Sequence, residues 1–406
     1  MSISVPVSTQ LPVPQQLLDA IEAVGAGTLE RELNRVLPTA EIDRLAEAGI
    51  GRLRVPESYG GFGLNWVQTS ELLVELAAQD SNIPQAIRGH LAVQEDALWR
   101  GEPDEPARRW LQRLGRGELA GNAWTEPGKG GFHRSGTVVS ESAGGPVVNG
   151  VKYYTTGSLF ADWLDVTARD EQGQELAVLV ARDQPGVTIQ DDWNGIGQRT
   201  TASGSMVLEN AAVAESELRL LHERFPYQTA LYQHVLLIVL AGIAEAAARD
   251  IAAALSTRSR TYTHANTATP NTDPQLLQAV GEVDAVAHLA RAQVLETARA
   301  LDAAFAAAGG DAEQQLEAAN QVELATGRAQ VALHKPVLEA TTRVFDALGA
   351  SGTDRSKGLD RHWRNARTVT SHNPWVYKAR IAGDFRVNGT DPVRLWSVGE
   401  PDTTKA

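Results

Sequence analysis

Pro146-Val-Val-Asn-Gly-Val-Lys-Tyr-Tyr-Thr155 is the stretch on which the fold turns. Its valines and tyrosines are strand formers, and an Asn-Gly pair punctuates it. Similar short runs surround it at Gly136 to Ser140, Trp163 to Ala168, Leu176 to Ala181 and Ser205 to Leu208, separated by Gly, Asp and Asn. From Glu118 to about Leu221 the chain therefore reads as an antiparallel sheet domain.

On both sides of this region the pattern becomes helical. Apolar residues recur at helical spacing in Glu41 to Ala48, Thr69 to Ala78 and Pro84 to Trp99, with breaks at Pro56 and at Gly60-Gly61-Phe62-Gly63. After Phe225 come long Ala-rich helices, Tyr227 to about Thr257, Pro274 to about Ala307 and Asp311 to about Leu348, with Gly309-Gly310 between the last two. The expectation is an α+β protein of three units. They are an N-terminal α-helical domain (1–115), a central antiparallel β-sandwich or barrel domain (116–221), and a C-terminal four-helix bundle with a site-bearing tail (222–406).

Composition removes several functions. The 406 residues are 43% hydrophobic and 21% charged, enough for two or three lobes of ordinary size. A net charge of −13 argues against nucleic acid and anionic membrane surfaces. With no cysteine there is no disulfide, no Cys-ligated zinc, no iron–sulfur centre and no thiol nucleophile. Met206 is the single internal sulfur, which fits either a protein made under sulfur shortage or an Ala- and Arg-rich genome. Met1 to Pro12 lacks the basic start and apolar run of a secretory signal, and the longest apolar run, Val235 to Ala244, is too short to span a bilayer. A cytoplasmic protein is expected. Gly-x-Gly-x-x-Gly, Walker A, His-Glu-x-x-His and Gly-x-Ser-x-Gly motifs are absent, and the nine histidines show no metal-ligand spacing.

The tail runs Gly358-Leu-Asp-Arg-His-Trp-Arg-Asn-Ala-Arg-Thr-Val-Thr-Ser-His372-Asn-Pro374, with two histidines, three arginines and a tryptophan in seventeen residues. So many groups able to bind phosphate or move a proton read as a site rather than a packing element. His372 has a second reading, as part of the cap of a helix beginning near Pro374, where Ser371 and Asn373 are capping types.

This tail, together with Val55-Pro-Glu-Ser-Tyr-Gly-Gly-Phe-Gly63, Ala123-Trp-Thr-Glu-Pro-Gly128, Lys152-Tyr-Tyr-Thr-Thr-Gly157, Thr156-Gly-Ser-Leu-Phe-Ala-Asp-Trp163 and Asp191-Asp-Trp-Asn-Gly-Ile-Gly-Gln-Arg-Thr-Thr-Ala-Ser-Gly204, resembles a known family. The family is that of the flavin-dependent sulfur monooxygenases built on the acyl-CoA dehydrogenase fold, including the dibenzothiophene monooxygenases and the sulfur-acquisition oxidoreductases. The resemblance covers nearly the whole chain. It implies a two-component, FMNH2-dependent monooxygenase that oxygenates a small organosulfur compound through a flavin C4a-(hydro)peroxide, with dioxygen as co-substrate. FMN would arrive reduced from a separate NAD(P)H-dependent flavin reductase; FAD is the alternative cofactor. Two other readings stand beside it: an acyl-CoA dehydrogenase-like FAD enzyme, and a non-catalytic flavin-binding scaffold or sensor.

The same resemblance assigns residues. His372 would assist proton transfer at the reactive edge of the flavin, and His90, in Arg88-Gly-His-Leu-Ala-Val93, matches a histidine facing the same pocket. Thr155 and Thr156 would hydrogen-bond the flavin N5 and O4 edge, Thr155 with a catalytic part; Asn122, Trp124 and Thr125 would line the isoalloxazine; Trp193 would lie in the loop closing over it. Arg260 and the turn Ala350-Ser351-Gly352 are nominated for the phosphate. In the parent fold those last two regions come from different subunits, so a homotetramer built as a dimer of dimers is expected. His90 as an ordinary helix polar residue, and Thr155 and Thr156 as ordinary strand residues, remain open readings.

Two departures from the dehydrogenases follow. Gly358 to Gly383 holds one acid, Asp360, and Pro226 to Ala244 holds none, so neither usual position supplies the carboxylate that removes an α-proton. After Pro127 the chain reads Gly-Lys-Gly-Gly-Phe-His-Arg-Ser135, where dehydrogenases usually have Gly-Ala-Gly-Ser-Asp, which alters the groove that admits acyl-CoA.

Overall fold

The structure, a computed structural model, describes residues 11–101, 103–127 and 136–394. The altered groove segment after Pro127 lies outside the described residues. Seven helices come first: α1 (Gln15–Val24), α2 (Thr28–Asn34), α3 (Thr39–Ala48), α4 (Trp66–Gln79), α5 (Asn82–Ala86), α6 (Arg88–Arg100) and α7 (Glu105–Gly115). The apolar run Pro84 to Trp99 is thus two helices that break at Ile87, which leaves the α region between them. Asn65 starts α4 through a capping box with Gln68.

The central strands are β1 (Ala120–Ala123), β2 (Val138–Ser142), β3 (Gly145–Tyr153), β4 (Trp163–Arg169), β5 (Glu175–Ala181), β6 (Val187–Ile189), β7 (Ser205–Ala212) and β8 (Leu218–Leu220). They pair in the order β6-β7-β3-β2-β4-β5-β8. The sheet is mixed rather than purely antiparallel. β1, arriving from α7, lies parallel to β4 with Asn122 opposite Asp165, and β2 touches β4 in parallel at Val138 and Arg169. β1, β6 and β8 have only three or four residues each, too few to show an alternation in sequence.

Five helices follow among the described residues: α8 (Gln228–Ser256), α9 (Pro274–Ala306), α10 (Ala312–Leu348), α11 (Asp360–Ser371) and α12 (Trp375–Asn388). Asp273 caps α9, and Asp311 forms a capping box with Gln314 at α10. α8 is apolar all round from Val235 to Ala244 because α4, α9, α10 and α11 pack about it. At Gly242 a Cβ would lie 2.2 Å from Cβ of Ala77, so only glycine lets α8 approach α4 this closely.

The tail corrects one expectation. Asp360–Ser371 is a packing helix, with His362, Asn365, Ala366, Val369 and Thr370 on its buried face. Its polar groups bind protein: Arg361 and His362 both reach Asp250 of α8, at 2.6 and 2.8 Å. His372 stands at the C-cap of α11, and no side chain caps α12. Among the described residues no helix is long and apolar enough to cross a membrane.

Candidate active site

A chain of contacts runs from the sheet, across the start of α8, to the end of α11. It begins at Asp165 on β4, which is fully buried. Nη1 of Arg224 donates to both of its oxygens, at 2.8 and 2.9 Å, and the indole N–H of Trp124 donates to Oδ2 at 3.0 Å. Burial alone would lower the Arg224 pKa, but Asp165 raises it above its ordinary value, so the guanidinium stays charged. The same guanidinium lies 5.2 Å from the Trp124 ring centroid. Trp124 is therefore clamped at its edge and over its face, and its carbonyl accepts from Thr167 at 2.7 Å.

Tyr232 of α8 meets Trp124 edge-on, 5.7 Å between centroids, and Arg88 lies 5.1 Å from the Tyr232 ring. Nη1 of Arg88 then reaches Nε2 of His372 at 3.3 Å. Arginine only donates, so Nε2 must accept and the proton of the neutral ring sits on Nδ1. Nδ1 faces the Asn373 amide at 3.3 Å; that amide contacts Gln233, which contacts Gln330. For Nδ1–H to be satisfied, Asn373 must turn its oxygen toward the ring, and the coupled amides of Gln233 and Gln330 turn with it. That arrangement also supplies a donor to Oε1 of Gln330, otherwise without a partner.

His372 is surrounded by protein yet keeps an exposed side-chain face. Burial first, then the Arg88 charge, hold its pKa down to about 3, and the solvent on the exposed face moderates the first effect. Either way the imidazole is neutral at neutral pH. Arg88 is only 6% exposed, and burial lowers its pKa to about 10, which leaves it charged.

A loop forms the other wall. Trp193 donates from its indole to the Gln198 carbonyl at 2.9 Å and meets the 48%-exposed Tyr154 edge-on. Asn365 of α11 accepts from the Gln198 N–H at 2.6 Å, and Arg364 donates to the Ile196 carbonyl at 3.0 Å. The Arg-Asn pair in the tail thus holds this loop. Thr125 is exposed, and its hydroxyl oxygen accepts from the Tyr154 N–H at 2.8 Å, leaving the hydroxyl proton to donate outward. Asn122 is buried on β1, where Gly89 of α6 packs against it.

Three nominated residues have other work. His90 is fully buried; Nε2 meets the Gly51 carbonyl at 2.8 Å and Nδ1 accepts from the Ala120 N–H at 3.2 Å. Both ring nitrogens are spent pinning α6 to Gly51 and to β1, and burial lowers the pKa to about 4. Thr155 is likewise fully buried, with its hydroxyl proton donated to the Gly204 carbonyl at 2.9 Å. Thr156 is buried in a hydroxyl chain with Ser203 and Thr201. These two threonines fasten the strand end to the Trp193 loop.

Arg260, Ser351 and Gly352 form a separate group. Arg258 donates to the Ala347 carbonyl at 2.7 Å, a Cβ at Gly349 would lie 3.2 Å from the Tyr262 hydroxyl, and Arg260 is exposed in the same loop. Gln233 lies in the second turn of α8 and Ser256 at its end, so the groups stand roughly 35 Å apart along that helix. The residues that sequence reasoning missed are Arg88, Asp165, Arg224 and Tyr232. A cavity of about 260 Å³ between α6, α7 and the β4–β5–β8 edge reaches the same network from another side, with Asp165 and Arg224 in its lining, and one of about 400 Å³ lies beside β2 and β8. His372 itself is exposed on the single chain. Among the described residues no His, Asp and Glu cluster could hold a metal.

The chain matches the acyl-CoA dehydrogenase N-terminal, middle and C-terminal domains over residues 20–118, 121–211 and 235–375. It is 30% identical over 374 residues to the probable FMNH2-dependent monooxygenase SfnC of Pseudomonas putida, covering 90% of this chain and 92% of that one. The structure of methanesulfinate monooxygenase MsuC from Pseudomonas fluorescens aligns with a TM-score of 0.83 at 30% identity, over 97% of this chain and 99% of that one. Dibenzothiophene monooxygenase TdsC from Paenibacillus sp. A11-2, in complex with FMN and indole, aligns with a TM-score of 0.84 at 26% identity, over 94% and 99%.

Proposed function

This chain belongs to the flavin-dependent monooxygenases built on the acyl-CoA dehydrogenase fold, and from that premise we propose that it is a two-component, FMNH2-dependent oxygenase of organosulfur compounds. One observation carries the reading: in the tail, where the resemblance puts the catalytic group of a dehydrogenase, the structure has a neutral imidazole, His372, beside the buried Arg88 cation. The nearest acid of the network, Asp165, is committed to Arg224 and Trp124 and cannot serve as a base.

The donor set suits a reduced flavin. Trp124, Trp193 and Tyr154 offer aromatic surface, and the Thr125 hydroxyl can donate. Bound there, reduced FMN supplies two electrons and, with dioxygen, the oxygen atom to be transferred. The protein's part is to bind and orient through the clamped Trp124, to exclude water with the Trp193 loop, and to hold His372 as a neutral imidazole oriented by Arg88 and Asn373. A polarisable sulfur is the preferred oxygen acceptor.

We place the phosphate at Arg260, Ser351 and Gly352 of a second copy, because roughly 35 Å within one chain is too far for one cofactor to bridge. Support for assembly comes from α12, where Val376 and Val387 are 51% and 80% exposed on the same helix face. A homotetramer, a separate NAD(P)H-dependent flavin reductase and a cytoplasmic setting complete the proposal. The test is turnover with a generic flavin reductase on a panel of sulfides, sulfoxides, sulfones, sulfinates and amines. Oxygenated sulfur product upholds it; bleaching of bound flavin by an acyl-CoA, with no oxygenated product, supports the dehydrogenase alternative instead.

A further inference from the structure

Four arginines are buried among the described residues, and three have a carboxylate: Arg31 with Asp80, Arg54 with Glu95, and Arg224 with Asp165. The buried lysines follow the same rule, Lys152 with Glu126 and Lys378 with Glu323. Arg88 breaks it. Its Nη1 meets the neutral His372, its plane lies over Tyr232, and Nε and Nη2 donate to nothing among the described residues. A guanidinium cannot escape burial by losing its proton, and cation–π contact with one tyrosine does not neutralise it. A charge held this way calls for an anion, and a fork of free N–H groups matches the paired oxygens of an oxyanion.

We propose that Arg88 receives the anionic head of the substrate, making the substrate class an organosulfur oxyanion, specifically an alkanesulfinate, rather than a neutral thiophene or sulfide. Among sulfur oxyanions a sulfinate still carries the lone pair that can accept an oxygen atom. The overall change balances as R–SO2⁻ + O2 + FMNH2 giving R–SO3⁻ + H2O + FMN: sulfur and flavin each give two electrons and dioxygen takes four. Arg88 sits beside the exposed His372 imidazole, so an anion held by Nε and Nη2 keeps its sulfur near that ring. The inference rests on the monooxygenase reading for the fate of the sulfinate, but not for its binding.

The experiment is titration calorimetry of methanesulfinate, and of neutral dimethyl sulfone, into the FMN-loaded protein without reductase. Parent, Arg88→Gln and Arg88→Lys are compared, with FMN affinity measured for each. Expected is binding of methanesulfinate by the parent and a loss of roughly 10- to 100-fold in Arg88→Gln, the worth of a charge-assisted contact, partly restored in Arg88→Lys. FMN and dimethyl sulfone affinities should stay within about twofold, since neither needs that charge. Unchanged methanesulfinate binding overturns the proposal. So does a loss of FMN affinity equal to that for methanesulfinate, which makes the flavin the anion that Arg88 serves. Should Arg88→Gln fail to fold, the Arg88→Lys comparison decides alone. A parent that binds methanesulfinate through Arg88 but never oxygenates it leaves this site standing and removes the monooxygenase reading.

Discussion

Arg88 and His372 lie 284 residues apart in sequence and 3.3 Å apart in space, and the arginine dictates which nitrogen of the histidine carries the proton. The pair joins the first helical region to the tail and makes His372 a neutral, oriented imidazole. Replacing it should separate binding from chemistry. In His372→Ala, FMNH2 affinity and fold should be retained, because the side chain is exposed at a helix end, while oxygen transfer falls by roughly 10²- to 10⁴-fold, the range for a positioned proton-transfer group. Quantifying hydrogen peroxide and oxygenated product per FMNH2 consumed checks this. Equal product from variant and parent removes His372 from the reaction.

Asp165→Asn should destabilise by roughly 3–5 kcal/mol, because it strands the buried Arg224 charge, and should weaken FMN binding by releasing Trp124. Adding Arg224→Met should recover part of the stability and little of the FMN affinity. Urea unfolding and FMN titration read the two effects separately.

Acid should destabilise the fold through buried neutral histidines. His90 and His234, both fully buried, have pKa values lowered by burial to about 4 and about 3. Above the ordinary pKa of about 6.5 neither folded nor unfolded chain binds these protons, and stability is complete. As pH falls from there toward 4, only the unfolded chain binds them, so stability falls, by about 3 kcal/mol for each histidine. His234 is held between the Ser70 and Thr297 hydroxyls, both at 2.7 Å. His234→Gln should therefore be less stable than the parent at pH 8 but show a shallower loss between pH 6.5 and 4; parallel slopes contradict the assignment.

Shared sites should complement. Trp124→Ala and Arg260→Ala damage opposite ends of the cofactor site, and each alone should bind FMN weakly. If every site takes one end from each of two copies, unfolding and refolding the two variants together should produce some sites with neither lesion. Regained FMN binding in the mixture, absent from either variant alone, is the expected result. No gain means that each chain holds its own cofactor.

Long periodic elements were readable in sequence and local chemistry was only partly so. Tyr227 to Thr257 and Pro274 to Ala307 reappear as α8 and α9 within a residue at their ends, because apolar periodicity, Pro and Asp caps act locally. Asp360–Ser371 was misread because its packing face is polar: Asn365 and His362 are buried through hydrogen bonds, which hydrophobic periodicity does not detect. His90 and Thr155 match the right strings but face inward, a matter of helix rotation and strand register that one residue's offset decides. Arg88 gave no sign of burial, since an arginine reads as a surface residue until its surroundings are known.

The most direct test of the account is isotopic. Parent and His372→Ala proteins, supplied with FMN, NADH, a generic flavin reductase and an alkanesulfinate, are run under ¹⁸O2, and the product is examined by mass spectrometry. The account predicts one ¹⁸O atom per sulfonate from the parent and labelled hydrogen peroxide with little sulfonate from the variant. An unlabelled product, or a labelled one formed equally well without the imidazole, contradicts it.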